Sequence, residues 1–180
     1  LDPRVADLMS ECLRDPTLQG NPASAHAPGR AAAARVELAR GQVARLIGAP
    51  PGSIVFTSGA TESVNLAILG AARAAGSDKR HVVTARTEHR AALDACRQLE
   101  REGFALSWLA PRSDGSADPG QIAAALRPDT ALVSLMHANN ETGAINDIAA
   151  IGRLCCERGV AFHVDAAQSA GKLLIDVEQM

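Results

Sequence analysis

The amino-acid sequence predicts an α/β fold: a mostly parallel sheet with helices on both faces. Short apolar runs alternate along the chain with longer stretches whose apolar residues recur at helical spacing. The runs are nearly continuous in Val, Leu and Ile, the pattern of strands covered on both sides, and this alternation belongs to parallel sheets.

Residues 4–14 have helical spacing and follow Pro3, which suits a first helical turn. Gly20-Asn21-Pro22 is a turn cluster. An alanine-rich helix then spans about 29–47, closed by Gly48 and Pro50-Pro51-Gly52. Residues 54–57 read as a short buried strand, and 61–74 as a helix with Val64, Ala67, Ile68 and Ala71 on one side. Residues 81–84 form the next strand. A helix follows over 91–102, with Leu93, Cys96 and Leu99 on one side and Gly103 as its stop. Residues 104–109 are a strand, and a loop over 111–119 leads to a short helix at 121–126. Residues 131–136 are a strong strand, 148–158 a helix ended by Gly159, and 160–164 a further strand. Leu173-Leu174-Ile175 is strand-like. No repeat or low-complexity linker is present; residues 1–52 form an N-terminal helical segment and 53–180 the α/β portion.

A chain of 180 residues has room for one real core, and 47% hydrophobic with 21% charged residues is globular composition. A net charge of −2 excludes the strongly basic footprint of a nucleic-acid or anionic-membrane binder. Aromatics make up only 2%, with no Tyr, so base-stacking platforms are excluded too. No apolar run approaches the roughly 20 residues of a membrane span. No basic start precedes an apolar stretch, so a cytoplasmic location is expected. Cys12, Cys96, Cys155 and Cys156 form no CxxC; they read as small apolar residues in a reducing compartment, neither a disulfide framework nor a zinc site.

In an open α/β sheet, ligands bind beyond the carboxyl ends of the strands. The run 54–57 leads into Thr57-Ser58-Gly59-Ala60-Thr61-Glu62-Ser63, where bare backbone N–H groups and hydroxyls meet the positive end of a helix. That suits a phosphate, although an ordinary strand-to-helix turn has the same composition. Thr87-Glu88-His89 ends the next strand, and His89 reads either as a site residue or as a helix cap. His137-Ala138-Asn139-Asn140-Glu141-Thr142-Gly143 follows the strongest strand, and turn chemistry alone produces such clusters as well. His163-Val164-Asp165-Ala166-Ala167-Gln168 ends the last strand. A carboxylate there calls for a cation or several donors: a metal, an Arg, or a protonated ring nitrogen. His163 and Asp165 share a strand face, but no third metal ligand has diagnostic spacing. Four strand ends thus offer a phosphate cradle, a histidine, an amide cluster and a carboxylate. Pyridoxal phosphate, with a phosphate at one end and a basic ring nitrogen at the other, suits that set.

These stretches resemble the cysteine desulfurases. Gly20-Asn21-Pro22-Ala23-Ser24-Ala25-His26, Phe56-Thr57-Ser58-Gly59-Ala60-Thr61-Glu62-Ser63, Thr87-Glu88-His89, Met136-His137-Ala138-Asn139-Asn140-Glu141-Thr142-Gly143 and His163-Val164-Asp165-Ala166-Ala167-Gln168 recur in that order in the family. Its members are class V, fold-type I pyridoxal-phosphate enzymes of iron–sulfur assembly. They take sulfur from L-cysteine to leave alanine and an enzyme persulfide. The resemblance implies that Ala60 and Thr61 hold the cofactor phosphate. It implies that His89 stacks on the ring and assists proton transfer, as the catalytic residue. Asn140 would lie beside the ring hydroxyl and the substrate, Asp165 would pair with the pyridinium nitrogen, and Gln168 would hydrogen-bond the ring hydroxyl. It also implies a homodimer and a sulfur acceptor or iron–sulfur scaffold protein as partner.

The sequence departs from the family in its lysines and cysteines. The Schiff-base lysine of the family's Ser-Gly-His-Lys stretch has no counterpart, because the two lysines here are Lys79 and Lys172. None of the four cysteines matches the family's nucleophile. The chain therefore reads as an N-terminal fragment: an N-terminal helical segment and part of the cofactor-binding large domain over 53–180, with the small domain absent. Taken alone it is expected to be inactive. Two alternatives accompany this expectation: another class V enzyme, such as a selenocysteine lyase or an aminotransferase, and a non-catalytic chain.

Overall fold

The computed structural model describes residues 1–178. The chain divides into two compact units, Leu1–Ile54 and the remainder from Val55 onward. In the first unit, α1 (Pro3–Arg14) starts where the Asp2 carboxylate accepts the Arg4 N–H at 2.9 Å. The second helix, α2 (Ala27–Leu46), is capped by His26, whose Nδ1 accepts the Gly29 N–H at 3.1 Å. Arg35 and Glu11 form an ion pair between the two helices at 3.5 Å. Gly20 is required by close approach: a Cβ there would stand 2.3 Å from the Pro28 carbonyl carbon.

The second unit runs α3 (Ala60–Ala74), β1 (His81–Ala85), α4 (Arg90–Arg101), β2 (Ala105–Leu109), α5 (Pro119–Ala125), β3 (Thr130–Met136), α6 (Ile148–Glu157) and β4 (Ala161–Asp165). The four strands form one all-parallel sheet in the order β2-β1-β3-β4. Strand side chains alternate between faces, and two separate clusters show it. Val82 and Leu132 pack with Val64 and Ile68 of α3 and with Cys96 and Leu99 of α4. Val83, Val133 and Leu135 pack with Ile122 of α5 and with Ile151 and Cys155 of α6 on the other side. Helices thus cover both faces, as the apolar runs predict. At the amino edge His81 is fully buried; its Nδ1 meets Thr130 Oγ1 and its Nε2 meets Ser107 Oγ, each at 2.9 Å. Burial pushes this imidazole's pKa down.

Three expectations need correction. Residues 54–57 are not a strand: Val55 and Phe56 are exposed, and the run pairs with no strand among the described residues. Leu173-Leu174-Ile175 is irregular chain with Leu174 exposed, touching Ala170 through one isolated bridge at Leu173. The cysteines are all free, yet only Cys96 and Cys155 are buried, while Cys12 is half-buried and Cys156 exposed.

Candidate functional site

The strand order creates a crevice. Chain connections leave β1 toward α4 on one face and leave β3 toward α6 on the other, although β1 and β3 are neighbours. The loops beyond their carboxyl ends therefore diverge, and such a switch point is where open α/β sheets bind ligands. A cleft of about 460 Å³ lies there, lined by residues 86–90 and 139–142. His89 and Asn140 both line it, while Ala60, Thr61, Asp165 and Gln168 are not among its lining residues.

Each side chain owes its place to an element. His89 is the N-cap of α4, its Nδ1 accepting the Ala91 N–H at 3.2 Å, so the capping role is real and the rest of the exposed ring faces the cleft. Asn139 organises its own turn: its Oδ1 accepts the N–H groups of Glu141 and Thr142, each at 2.9 Å. Its Nδ2 donates across the crevice to the Thr87 carbonyl at 2.9 Å. Asn139 is thus the brace, and Asn140 beside it stays exposed on the cleft. Asn146 braces the same segment from below, donating to the Met136 carbonyl at 2.7 Å and accepting the Ala117 N–H at 2.7 Å.

Asp165 ends β4 opposite Met136 of β3, and its carbonyl accepts the His137 N–H at 2.9 Å. Its half-buried carboxylate accepts the Ala167 N–H at 2.9 Å. Among the described residues no cation lies within ion-pair distance of it. His163, two residues earlier on the same face, bonds Ser134 Oγ at 2.9 Å; burial lowers its pKa and Asp165 partly offsets that. No group of three or more potential metal ligands occurs among the described residues. Gln168 is exposed, and its Oε1 accepts from Lys172 Nζ at 3.4 Å. Lys79 is remote, donating to the Pro128 carbonyl at 2.9 Å near the amino edge.

Ala60 and Thr61 open α3 and are exposed. Only six residues separate the end of α3 from β1. The helix therefore starts toward the carboxyl ends of the strands, on the face that also carries His163 and Asp165. It is the one α-helix among the described residues whose first turn has no side-chain cap; the other five are capped by Asp2, His26, His89, Asp118 and Asp147. Glu62 turns its carboxylate back to the Ser58 N–H and hydroxyl, each at 2.6 Å, which holds its pKa low. The opening N–H groups of α3 are thus left for an anion. Three motif-bearing strand ends, those of β1, β3 and β4, lie at this edge rather than four, since the α3 approach is not a strand.

Glu88 is the site residue that sequence reasoning passes over. It is 5% exposed, and its Oε1 accepts the Met136 N–H at 3.0 Å. Its pKa is pushed up to about 8, chiefly by burial, with Asp165 adding to the rise. Its place between Thr87 and His89 was visible, but its burial is a tertiary property.

A family described as aminotransferase class-V matches residues 1–180. The chain is 55% identical over its whole length to a protein of Pectobacterium atrosepticum described as cysteine desulfurase IscS, covering 45% of that protein. Among solved structures, one described as SspA in complex with cysteine has a TM-score of 0.90 at 39% identity, over 94% of this chain and 50% of that one. A NifS-like protein has a TM-score of 0.93 at 35% identity, over 99% of this chain and 49% of that one. The chain spans about half the length of the relatives it matches.

Proposed function

Since this chain belongs to the class-V aminotransferase family, we propose that it forms cofactor-binding structure of a cysteine desulfurase. In that activity sulfur leaves L-cysteine, giving alanine and an enzyme persulfide. The observation that carries the proposal is the switch point itself. There β1, β3 and β4 end side by side and lead into His89, Asn140 and Asp165, the residues the family motif assigns to pyridoxal phosphate. The donor set fits that cofactor. The uncapped first turn of α3 matches its phosphate, and a half-buried carboxylate without a cationic partner among the described residues matches its pyridinium nitrogen.

Bound there, pyridoxal phosphate supplies an electron sink for the carbanion formed at the substrate α-carbon. The chain's own residues would do the rest. Ala60 and Thr61 offer N–H and hydroxyl donors to the phosphate, and Asp165 keeps a ring nitrogen protonated by charge pairing. His89, held by its cap bond through Nδ1, keeps Nε2 for stacking and proton transfer at the substrate. Asn140 and Gln168 offer amide groups to the ring hydroxyl. Homodimerisation, a cytoplasmic location and a sulfur acceptor or iron–sulfur scaffold as partner belong to the same proposal and rest on the family motifs.

The test uses the protein that carries this sequence, supplied with pyridoxal phosphate and L-cysteine, with alanine and sulfide measured. His89→Ala should lower turnover by about 10²–10⁴-fold, the usual range for a lost proton-transfer group. Unchanged turnover in that variant, or turnover of other amino acids in preference to cysteine, would move the assignment to another member of the family.

A further inference from the structure

We propose that Glu88 is a positioning residue, a side-chain strut that takes the place of a backbone partner where β1 and β3 part and so fixes His89 relative to Asp165. The ladder between β1 and β3 runs as far as Thr84 opposite Ser134. Two residues further along β3 the Met136 N–H donates instead to Glu88 Oε1 at 3.0 Å. Met136 is the residue paired with Asp165, so one bond links the loop after β1 to the end of β4. Glu88 immediately precedes His89, and the Asn139 bond to Thr87 secures the residue before it. A strut at that point stops the two loops from sliding along the crevice.

The carboxyl works as the neutral acid. Its second oxygen, Oε2, is buried and has no hydrogen-bond partner among the described residues, a costly state for a carboxylate and a tolerable one for a protonated group. Two titratable groups act on Glu88 or feel it: Asp165 from β4, and the buried Cys96 thiol from α4, whose pKa is itself pushed up to about 12. Neither supplies positive charge. A neutral Glu88 adds no second negative charge beside Asp165, which leaves that carboxylate able to serve a cationic ring. Raising the pH through about 8 ionises Glu88 and loads the strut with a repulsive charge.

This inference rests on the proposed cofactor site, and its test separates the two. The Met136 amide and the His89 ring are followed by NMR in the full chain from pH 6 to 10, in the unaltered protein and in Glu88→Gln. Both signals should share a step near pH 8 that Glu88→Gln abolishes. Pyridoxal phosphate affinity, measured on the same samples at pH 7, should be kept within about twofold by Glu88→Gln and fall about tenfold in Glu88→Ala. A step that persists in Glu88→Gln, or a Met136 step with no movement of His89, overturns the proposal. If the unaltered chain binds no pyridoxal phosphate, the cofactor reading falls and the shared NMR step still decides the role of Glu88. Should Glu88→Ala not fold, the Gln comparison decides it alone.

Discussion

At the scale of single residues, the site depends on which side chains hold others and which are left available. Asn139 and Asn140 are adjacent and chemically identical, yet Asn139 is consumed by its turn and by Thr87, and Asn140 faces the cleft. Sequence could mark the pair but not divide the labour. Glu88 has a consequence for stability as well as for the site. Its folded pKa of about 8 lies above the 4.5 of a free glutamate, so the folded state binds the extra proton. Stability should therefore fall as pH rises from about 4.5 to 8 and level off beyond, by something on the order of 5 kcal/mol. Glu88→Gln should flatten that slope. Urea unfolding at pH 5, 7 and 9 measures it; parallel curves for the two proteins would contradict the burial of an ionisable group here. A milder change is expected at the start of α6, where the Asp147 carboxylate accepts the Ala150 N–H at 3.0 Å. Asp147→Ala should cost about 1 kcal/mol of unfolding free energy.

At the scale of elements, the strands over 81–85 and 130–136 were legible because each carries an apolar run that two helical layers bury, and the half-buried edge strands over 105–109 and 161–165 because their apolar residues pack against the same clusters. The run Ile54-Val55-Phe56 looks the same in one dimension, but it joins no sheet among the described residues, and Val55 stays 71% exposed. Apolar runs report a wish for burial; pairing depends on partners elsewhere in the chain. Leu173-Leu174-Ile175 fails as a strand for the same reason. The helical layers can be tested by removing a contact from one face. Ile151 is fully buried in the α6 side of the core, so Ile151→Ala should cost about 2–5 kcal/mol. Denaturant midpoints would show it, and a loss below 1 kcal/mol would mean that the α6 layer is not packed as described.

At the scale of the whole molecule, chain order explains why the functional residues come from distant stretches of sequence. A sheet that starts at β1, adds β2 on one side and then β3 and β4 on the other has its crevice between β1 and β3. The motifs after β1, β3 and β4 were therefore readable as strand ends, whereas which two ends flank the cleft required the strand order. The lysines give a further expectation. Lys79 lies near the amino edge, and the exposed Lys172 reaches Gln168 without belonging to the family's lysine motif. Borohydride treatment of the isolated chain with pyridoxal phosphate should label no lysine stoichiometrically, and cysteine should yield no sulfide; unique labelling at Lys172 with turnover would reverse that assignment. The central claim, that this edge of the sheet is a pyridoxal-phosphate site, is tested most directly by equilibrium binding of the cofactor to the chain, followed by fluorescence, in the unaltered protein and in Asp165→Ala. The account predicts saturable binding at one site, weakened at least about tenfold by the substitution, as expected for loss of a charge-assisted hydrogen bond. Binding that does not saturate, or that is the same with and without the Asp165 carboxylate, would contradict it.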